Sequence, residues 1–395
     1  MRLAMTLLTR DCADIIEANI RYHRAQGVDL FVVGDDGSMD GTLEILQRFE
    51  RGGLVKLEPV SGLLHEVWSK GRTKLARLAH ELGADWVIHN DQDEFWWSLT
   101  GDLKETLVAV PDRFGLVVAP RTEFVGRPGE GPFAERLTIR EARFLRPPKA
   151  AHRTHPRIVL DHPHPTRIGV QKPEGEPRSK SEVFAGRPGL RDSAADHPAE
   201  LEDELVFAPT FPVRVLHFPV RSAAQYRHRV ELTDKAGLLE SKNREDLRTA
   251  YEAGTLDDVY ANLILDDEAV AKGIEEGALV EDTDFRDYLD ACPDPLEGGA
   301  SPPGSRSWSE ERRQRELREL EFDGMRALTR YVRRRGGGDK SLDRRRRLRH
   351  KRRMRRRRER LAESRPGRLS RLGPSRVMRA LPRVRRAARW RRRRA

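Results

Sequence analysis

The sequence predicts an α/β protein with a mainly parallel sheet flanked by helices. Three observations predict it. Short apolar runs of strand length alternate with amphipathic stretches of ten to eighteen residues, the signature of βαβ units. Glycines close the helical stretches, as Gly27 and Gly83 do. Three of the strands run directly into polar, mostly acidic turns, where an open parallel sheet binds its ligands.

The elements follow in order. Residues 3–9, LAMTLLT, read as the first strand, and Ile15, Ile16, Ile20 and Tyr22 recur at helical spacing after it. VDLFVVG is the second strand and ends in the turn-forming DDGSMDGT; Thr42–Arg51 resumes as helix. LVKLEP is a short third strand, His65–Leu82 a helix, and Asp85–Asn90 the fourth strand, with Trp86, Val87 and Ile88 suited to a central position. Gly101–Val110 reads as helix and GLVVAP as a fifth strand. Residues 121–215 are rich in Pro, Gly, Arg and His, with strand signals at RIVL and VRVLHF, and read as a loop-rich extension that walls a pocket. Helical periodicity returns over 222–290.

Charge divides the chain. Residues 333–395 hold 30 of the 75 Lys and Arg but 4 of the 63 Asp and Glu, a net +26 that leaves −14 on residues 1–332. Residues 291–307 read as a linker, with Ser307 and Glu310 as a capping box opening a charged helix over 308–335. Residues 336–395 form a basic low-complexity tail, expected to be disordered. Two cysteines, Cys12 and Cys292, lack metal or disulfide spacing and fit a reducing compartment. With no signal-peptide pattern and no spanning apolar run, the expectation is a cytoplasmic protein, peripheral on the inner face of a membrane if the tail attaches it.

The chemistry is expected at the strand ends. The first contributes Thr9, Arg10 and Asp11, the second Asp35, Asp36, Ser38 and Asp40, the fourth Asp91, Asp93 and Glu94. Neither GxGxxG nor GxxxxGK[ST] occurs, so no glycine-rich loop cradles phosphate. Carboxylates as close as Asp91, Asp93 and Glu94 repel one another unless a positive charge sits among them. A divalent cation, Mn²⁺ or Mg²⁺, meets that need: one or two carboxylates hold it, and its other positions take water and substrate phosphate.

Three stretches, TRDCADIIEANIRYHRAQGVD, VVGDDGSMDGT and GADWVIHNDQDEFWW, resemble in order and spacing the family 2-like glycosyltransferases of the GT-A-type fold, in the branch with a D-x-D-E-F box. VLHFPVRSAAQYRHRV and LVEDTDFRDYL resemble that branch's later elements, so the likeness covers residues 1–290, with 1–120 as the nucleotide half and 121–290 as the acceptor and closing half. The resemblance implies transfer of a sugar from a nucleotide-sugar donor to an acceptor hydroxyl, on a carbohydrate or a lipid-linked acceptor, with a divalent metal and with inversion. It implies that Thr9, Arg10, Asp35, Asp36, Asp91 and Arg221 bind the donor, and that Asp91 and Asp93 hold the metal. Gln92 and Met39 depart from the family's usual residues without touching those roles. Asp93 and Glu94 are the expected catalytic residues, Glu94 either as base or as support for its neighbours. His164 is the expected third metal ligand, chosen from the histidines at 152, 155, 162, 164 and 217.

Other readings compete. DDGS makes a turn unaided, Trp96 and Trp97 are either core or a stacking platform for sugar, and Lys149 and Lys172 are alternatives for facing phosphate. A phosphohydrolase would carry its D-x-D on the first strand, whereas here it ends the fourth. A nucleic-acid-binding protein acting through the tail leaves the acidic strand ends unexplained. For the tail itself the apolar points Val377, Met378, Leu381, Val384 and Trp390 among the arginines favour an anionic membrane surface over nucleic acid.

Overall fold

A computed structural model describes residues 1–60, 64–144, 146–160, 168–170, 212–237, 239–240, 244–297 and 309–321. His164, Lys172 and the basic tail lie outside the described residues. In chain order the first half forms β1 (Leu3–Thr9), α1 (Ile16–Ala25), β2 (Leu30–Asp35), α2 (Thr42–Arg51), β3 (Val55–Pro59), α3 (Leu64–Glu81), β4 (Trp86–Asn90), β5 (Glu94–Ser98), α4 (Leu103–Val108), β6 (Leu116–Ala119), β7 (Arg121–Glu123), α5 (Phe133–Arg136), β8 (Ile139–Glu141), β9 (Lys149–Arg153), β10 (Ile158–Leu160) and β11 (Ile168–Val170). After them come β12 (Val213–His217), α6 (Ala223–Lys235), α7 (Glu245–Glu252), α8 (Leu256–Ala261), α9 (Asp267–Glu275), β13 (Leu279–Glu281), α10 (Asp284–Asp290) and α11 (Glu310–Glu319).

The expected architecture is present. The main sheet has the order β3-β2-β1-β4-β9-β6. β1, β2, β3 and β4 run parallel, and β9 is antiparallel to both its neighbours. Burial on both faces explains why β1 reads as an unbroken apolar run. The chain winds outward from β1 to β2 and β3, then returns to place β4 on the other side. β1 and β4 therefore flank the point where the strand order reverses, the place at which open sheets of this kind bind ligands.

One strand departs from expectation. Residues 149–153, KAAHR, carry no strand signal in sequence, yet β9 separates β4 from β6. Ala150 and Ala151 are fully buried there, and the flanking Lys and His conceal the pattern. Because β9 runs antiparallel, with Ala151 opposite Ile88, its first residue Lys149 lies level with the carboxyl end of β4.

A second sheet, β5-β12-β7, begins where the acidic box ends. An aromatic core fills the space around it. Phe218 meets Phe285 at a centroid distance of 4.8 Å and Phe124 at 4.4 Å, and Phe95 meets Phe285 at 4.6 Å. Trp96 and Trp97 are both fully buried in this core, so neither is a sugar-stacking platform. The strand alternation that sends them to opposite faces buries both, because each face is covered. Gly27 ends α1 in the left-handed region at φ 87°, and a Cβ there would stand 2.6 Å from Cβ of Lys104.

The charged helix α11 packs on this body. Its cap is Ser309, whose Oγ accepts from the Arg312 N–H at 3.2 Å, two residues beyond the expected Ser307. Leu317 and Leu320 join the main core. Glu316 enters a buried cup made by Arg140, Arg214 and Asp282: Arg214 Nη1 lies 2.8 Å from Glu316 Oε2, and Arg140 Nε lies 2.6 Å from Asp282 Oδ2. Two guanidinium groups thus face two carboxylates.

Replacing Glu316 by Ala leaves two buried arginines against one carboxylate. Removing one partner of a buried ionic cluster costs about 3–5 kcal/mol. The expected result is a clear fall in the urea midpoint of Glu316→Ala, with Glu316→Gln intermediate; an unchanged midpoint would show that α11 does not dock in solution.

Candidate active site

The box Asp91–Gln92–Asp93 is a tight turn linking the two sheets. The Glu94 N–H donates to the Asp91 carbonyl at 3.0 Å and closes the turn. Asn19 Nδ2 donates to the carbonyls of Gln92 at 3.0 Å and Glu94 at 2.9 Å, and Asn90 Nδ2 donates to the Glu94 carbonyl at 2.8 Å. The Phe218 N–H donates to the Asp93 carbonyl at 2.9 Å, which ties the box to the end of β12. The carboxylates are thereby held in place by backbone bonds before any side-chain charge is considered.

Protein cations meet the charge of the box. Asp91 receives Arg72 Nη2 on Oδ1 and Lys149 Nζ on Oδ2, each at 2.6 Å. Lys149 Nζ also lies 2.7 Å from Glu94 Oε2, and Arg121 Nη1 donates to Glu94 Oε1 at 2.9 Å. Burial would raise the Asp91 carboxyl, but Lys149 and Arg72 outweigh it and hold the group well below the usual carboxylate range. The side chain of Asp91 is 35% exposed, whereas that of Glu94 is fully buried. In this arrangement Glu94 is sealed between Lys149 and Arg121 and ties the box to β9 and β7.

Asp93 has a different setting. Its Oδ2 lies 3.4 Å from His217 Nε2 and 4.0 Å from Arg221 Nη1. Burial raises this carboxyl, yet His217 and Arg221 bring it down to about 2. His217 Nδ1 lies 3.1 Å from Glu123 Oε1, so the imidazole bridges two carboxylates; burial disfavours its charge, but Asp93 and Glu123 raise its pKa overall. Arg146 pairs with Glu123 in turn. Arg221 is buried, and its guanidinium grips the half-exposed Asp14 at 2.7 and 3.1 Å.

The first two strand ends lie at the same edge of the parallel sheet. Thr9 stands opposite Asp35 in the β1–β2 ladder. Arg10 Nη1 donates to Asp36 Oδ2 at 3.2 Å. Asp35 turns back on its own loop, accepting from the N–H groups of Gly37 at 3.1 Å and Ser38 at 3.0 Å and from Ser38 Oγ at 2.5 Å. In this arrangement Asp35 shapes the turn, and Asp36 and Arg10 form its outward charged pair. Asp11, at φ 46°, is the sole non-glycine with positive φ among the described residues. Its carboxylate accepts from the Met39 N–H at 2.7 Å and meets His228 Nε2 at 2.9 Å, which joins the loops after β1 and β2 to α6.

The structure places Thr9, Arg10, Asp35 and Asp36 at the carboxyl ends of β1 and β2, and Asp91, Asp93 and Arg221 around the turn after β4 and the end of β12. It adds Arg72, Arg121, Glu123 and Arg146, which sequence reasoning did not find. The alternation of RTE, which places Arg121 and Glu123 on one face of β7, is the one signal that pointed to two of them. Among the described residues no three His, Cys, Asp or Glu side chains are arranged as a metal site. Asp93 and His217 nevertheless supply an oxygen and an imidazole nitrogen side by side. The carboxylate suits Mn²⁺ or Mg²⁺, and a neutral imidazole beside it is a ligand for a transition metal. Among the described residues His217 is the histidine beside the box; His164 lies outside them.

Three histidines are buried near the box: His89 and His152 pair with each other between β4 and β9, and His23 of α1 stands apart beside β5. His152 Nδ1 lies 2.7 Å from the Arg153 carbonyl, which can only accept, so Nδ1 carries the proton and Nε2 is an acceptor. His89 Nε2, 2.7 Å away, must then donate, and His89 Nδ1 accepts from Thr6 Oγ1 at 2.7 Å. His23 Nε2 accepts from the Trp96 N–H at 3.0 Å. Burial lowers all three: His23 to about 3, His152 to about 4, and His89 well below its ordinary value.

No protein-family model matches the chain, and none of the curated proteins matches it. Solved structures do match. The crystal structure of Staphylococcus aureus TarS is 19% identical, with 33% of this chain and 23% of that chain covered at a TM-score of 0.26. TarS 1–349 is 13% identical, with 68% and 76% covered at a TM-score of 0.29. Glucosyl-3-phosphoglycerate synthase from Mycobacterium tuberculosis, in complex with Mn²⁺, UDP and glucosyl-3-phosphoglycerate, is 21% identical, with 30% and 44% covered at a TM-score of 0.23. The chain thus spans less than half the length of the first structures it matches. Among the described residues no helix is long and apolar enough to cross a membrane.

The buried histidines set an acid limit. Unfolded histidine takes up a proton near pH 6.5, whereas His23 and His152 stay neutral in the fold until about 3 and 4. Their contribution is complete above pH 6.5 and is lost as the pH falls toward 4, at about 1.4 kcal/mol per unit for each. Denaturation at pH 7, 6 and 5 is expected to show falling midpoints, while Asp91 and Asp93, both held low, stay ionised. His152→Gln is expected to flatten that slope.

Proposed function

We propose that the protein is a GT-A-type glycosyltransferase that moves a sugar, a hexosyl or related group, from a nucleotide-sugar donor to an acceptor hydroxyl. The observation that carries this reading is the convergence at the switch point. Three strand ends, separated by up to 84 residues from Thr9 to Asp93, lie at the same edge of the parallel sheet, and Asp93 meets the end of β12 through the Phe218 N–H and His217. The resemblance of those same stretches to family 2-like transferases supports it independently.

In this reading Arg10 and Asp36 face the nucleoside, with Thr9 and Asp35 fixing the loop that carries them. A carboxylate suits ribose hydroxyls and base N–H groups, which donate. Asp93 and His217 would hold a divalent ion, with Asp91 beside them. When bound, the ion supplies positive charge to the departing diphosphate. Arg221 stands next to Asp93 and would exchange the half-exposed Asp14 for diphosphate oxygens, a bidentate partner of the same geometry. The acceptor oxygen forms a bond to the anomeric carbon as the bond to diphosphate breaks, and the hydroxyl proton passes to a base. Attack opposite the leaving group inverts the anomeric centre. In the ion-free arrangement His217 is held between Asp93 and Glu123 and orients Asp93.

Asp93→Asn tests the ion and the reaction together. Across a panel of nucleoside diphosphates, wild-type binding is expected only with Mn²⁺ or Mg²⁺, and the variant is expected to lose that binding. Transfer or donor hydrolysis should fall by at least 100-fold, about 3 kcal/mol of barrier, with the unfolding midpoint retained. Binding unaffected by chelator, or transfer within a few-fold of wild type, would remove Asp93 from this role.

Asp36→Ala tests the nucleoside end. If Asp36 reads the donor equally in ground and transition states, KM rises about tenfold while kcat stays within about twofold. A collapse of kcat at constant KM would place Asp36 in the chemistry instead.

A further inference from the structure

We infer that Lys149 is the resident cation of the acidic box: its ammonium occupies the place between Asp91 and Glu94 that a divalent ion would otherwise take, and confines a donor-bound ion to Asp93 and His217. The donor part of this statement rests on the transferase reading; the ion-binding part stands without it.

The geometry carries the argument. Lys149 Nζ lies 2.6 Å from Asp91 Oδ2 and 2.7 Å from Glu94 Oε2, so one positive charge bridges the two carboxylates. These are charge-assisted contacts at the short end of their range. The side chain is 1% exposed, and its backbone is fixed in the β9 ladder opposite Ala119. It therefore has no route by which to withdraw into solvent. Arg72 holds the other oxygen of Asp91 and Arg121 the other oxygen of Glu94, so every oxygen of this pair already faces a cation. A dication between Asp91 and Glu94 would add two charges to a shell that holds three. Asp93 differs, since its two cationic contacts stand at 3.4 and 4.0 Å. These contacts are longer than the 2.6–2.9 Å pairs that close Asp91 and Glu94, so Asp93 is the carboxylate of the box less tightly held by protein cations.

A purely structural lysine and a resident cation predict different outcomes when the charge is removed. Lys149→Met keeps the length and apolar stem but leaves Asp91 and Glu94 sharing a site without their bridge. If Lys149 stands in for a metal, that vacancy recruits one.

The experiment measures Mn²⁺ binding to the full chain by electron paramagnetic resonance and calorimetry, with no nucleotide present. Lys149→Met is expected to bind one additional Mn²⁺ per chain, or to bind Mn²⁺ at least tenfold more tightly than wild type. Adding Glu94→Gln should abolish that gain, and Lys149→Arg should retain the wild-type pattern. A folded Lys149→Met protein with unchanged stoichiometry and affinity overturns the inference. Asp91→Asn in the otherwise unaltered chain keeps it open to refutation if Lys149→Met fails to fold. Mn²⁺ affinity within threefold of wild type supports the inference, and a loss of tenfold or more places the ion on Asp91 and overturns it. Because the readout needs no donor, a protein that gains the ion but turns over no nucleotide-sugar would refute the transferase reading alone.

Discussion

The bridge from Lys149 to Asp91 and Glu94 joins the two sheets electrostatically at the same corner where the backbone joins them covalently. Asp91 closes the parallel sheet, Glu94 opens β5, and Lys149 arrives from β9. Each group alone would be costly: a buried ammonium and a buried carboxylate each forfeit several kcal/mol of solvation. Together with Arg72 and Arg121 they compensate one another. The antiparallel course of β9 follows from this arrangement, since a parallel strand at that position would begin at the far end of the sheet and carry its lysine away from the box.

The same balance explains why Asp91 and Asp93, two residues apart, behave unlike each other. The turn points them in different directions. Asp91 faces α3 and β9, which bring guanidinium and ammonium groups; Asp93 faces the end of β12, which brings an imidazole. Division of labour within one acidic box is thus set by which element each carboxylate meets.

Much of this was legible in the sequence. The four parallel strands, the helices between them, the strand at GLVVAP and the polar strand ends were read from local periodicity and turn chemistry, but β5 was not, because its EFWWS follows the acidic turn without a break in the apolar pattern. The positive charge demanded by Asp91, Asp93 and Glu94 was also foreseen, but its source was not. Lys149, Arg72 and Arg121 lie 58, 19 and 27 residues from the acids they pair with, and only the fold brings them together. β9 was hidden because KAAHR has neither alternation nor β-branched residues. Trp96 and Trp97 left two readings open in sequence, and burial of both faces of β5 decided between them.

The strand β12 is held at both ends. Arg214, near its start, lies in the cup filled by Glu316 of α11, and His217, at its end, stands against Asp93. Three residues of strand, about 10 Å, separate the two. A helix that follows the transferase-like region in sequence is therefore joined to the strand that meets Asp93, not an appendage. A cut at residue 290, where the sequence likeness ends, would remove Glu316 and leave Arg140 and Arg214 with Asp282 as the one carboxylate of the cup.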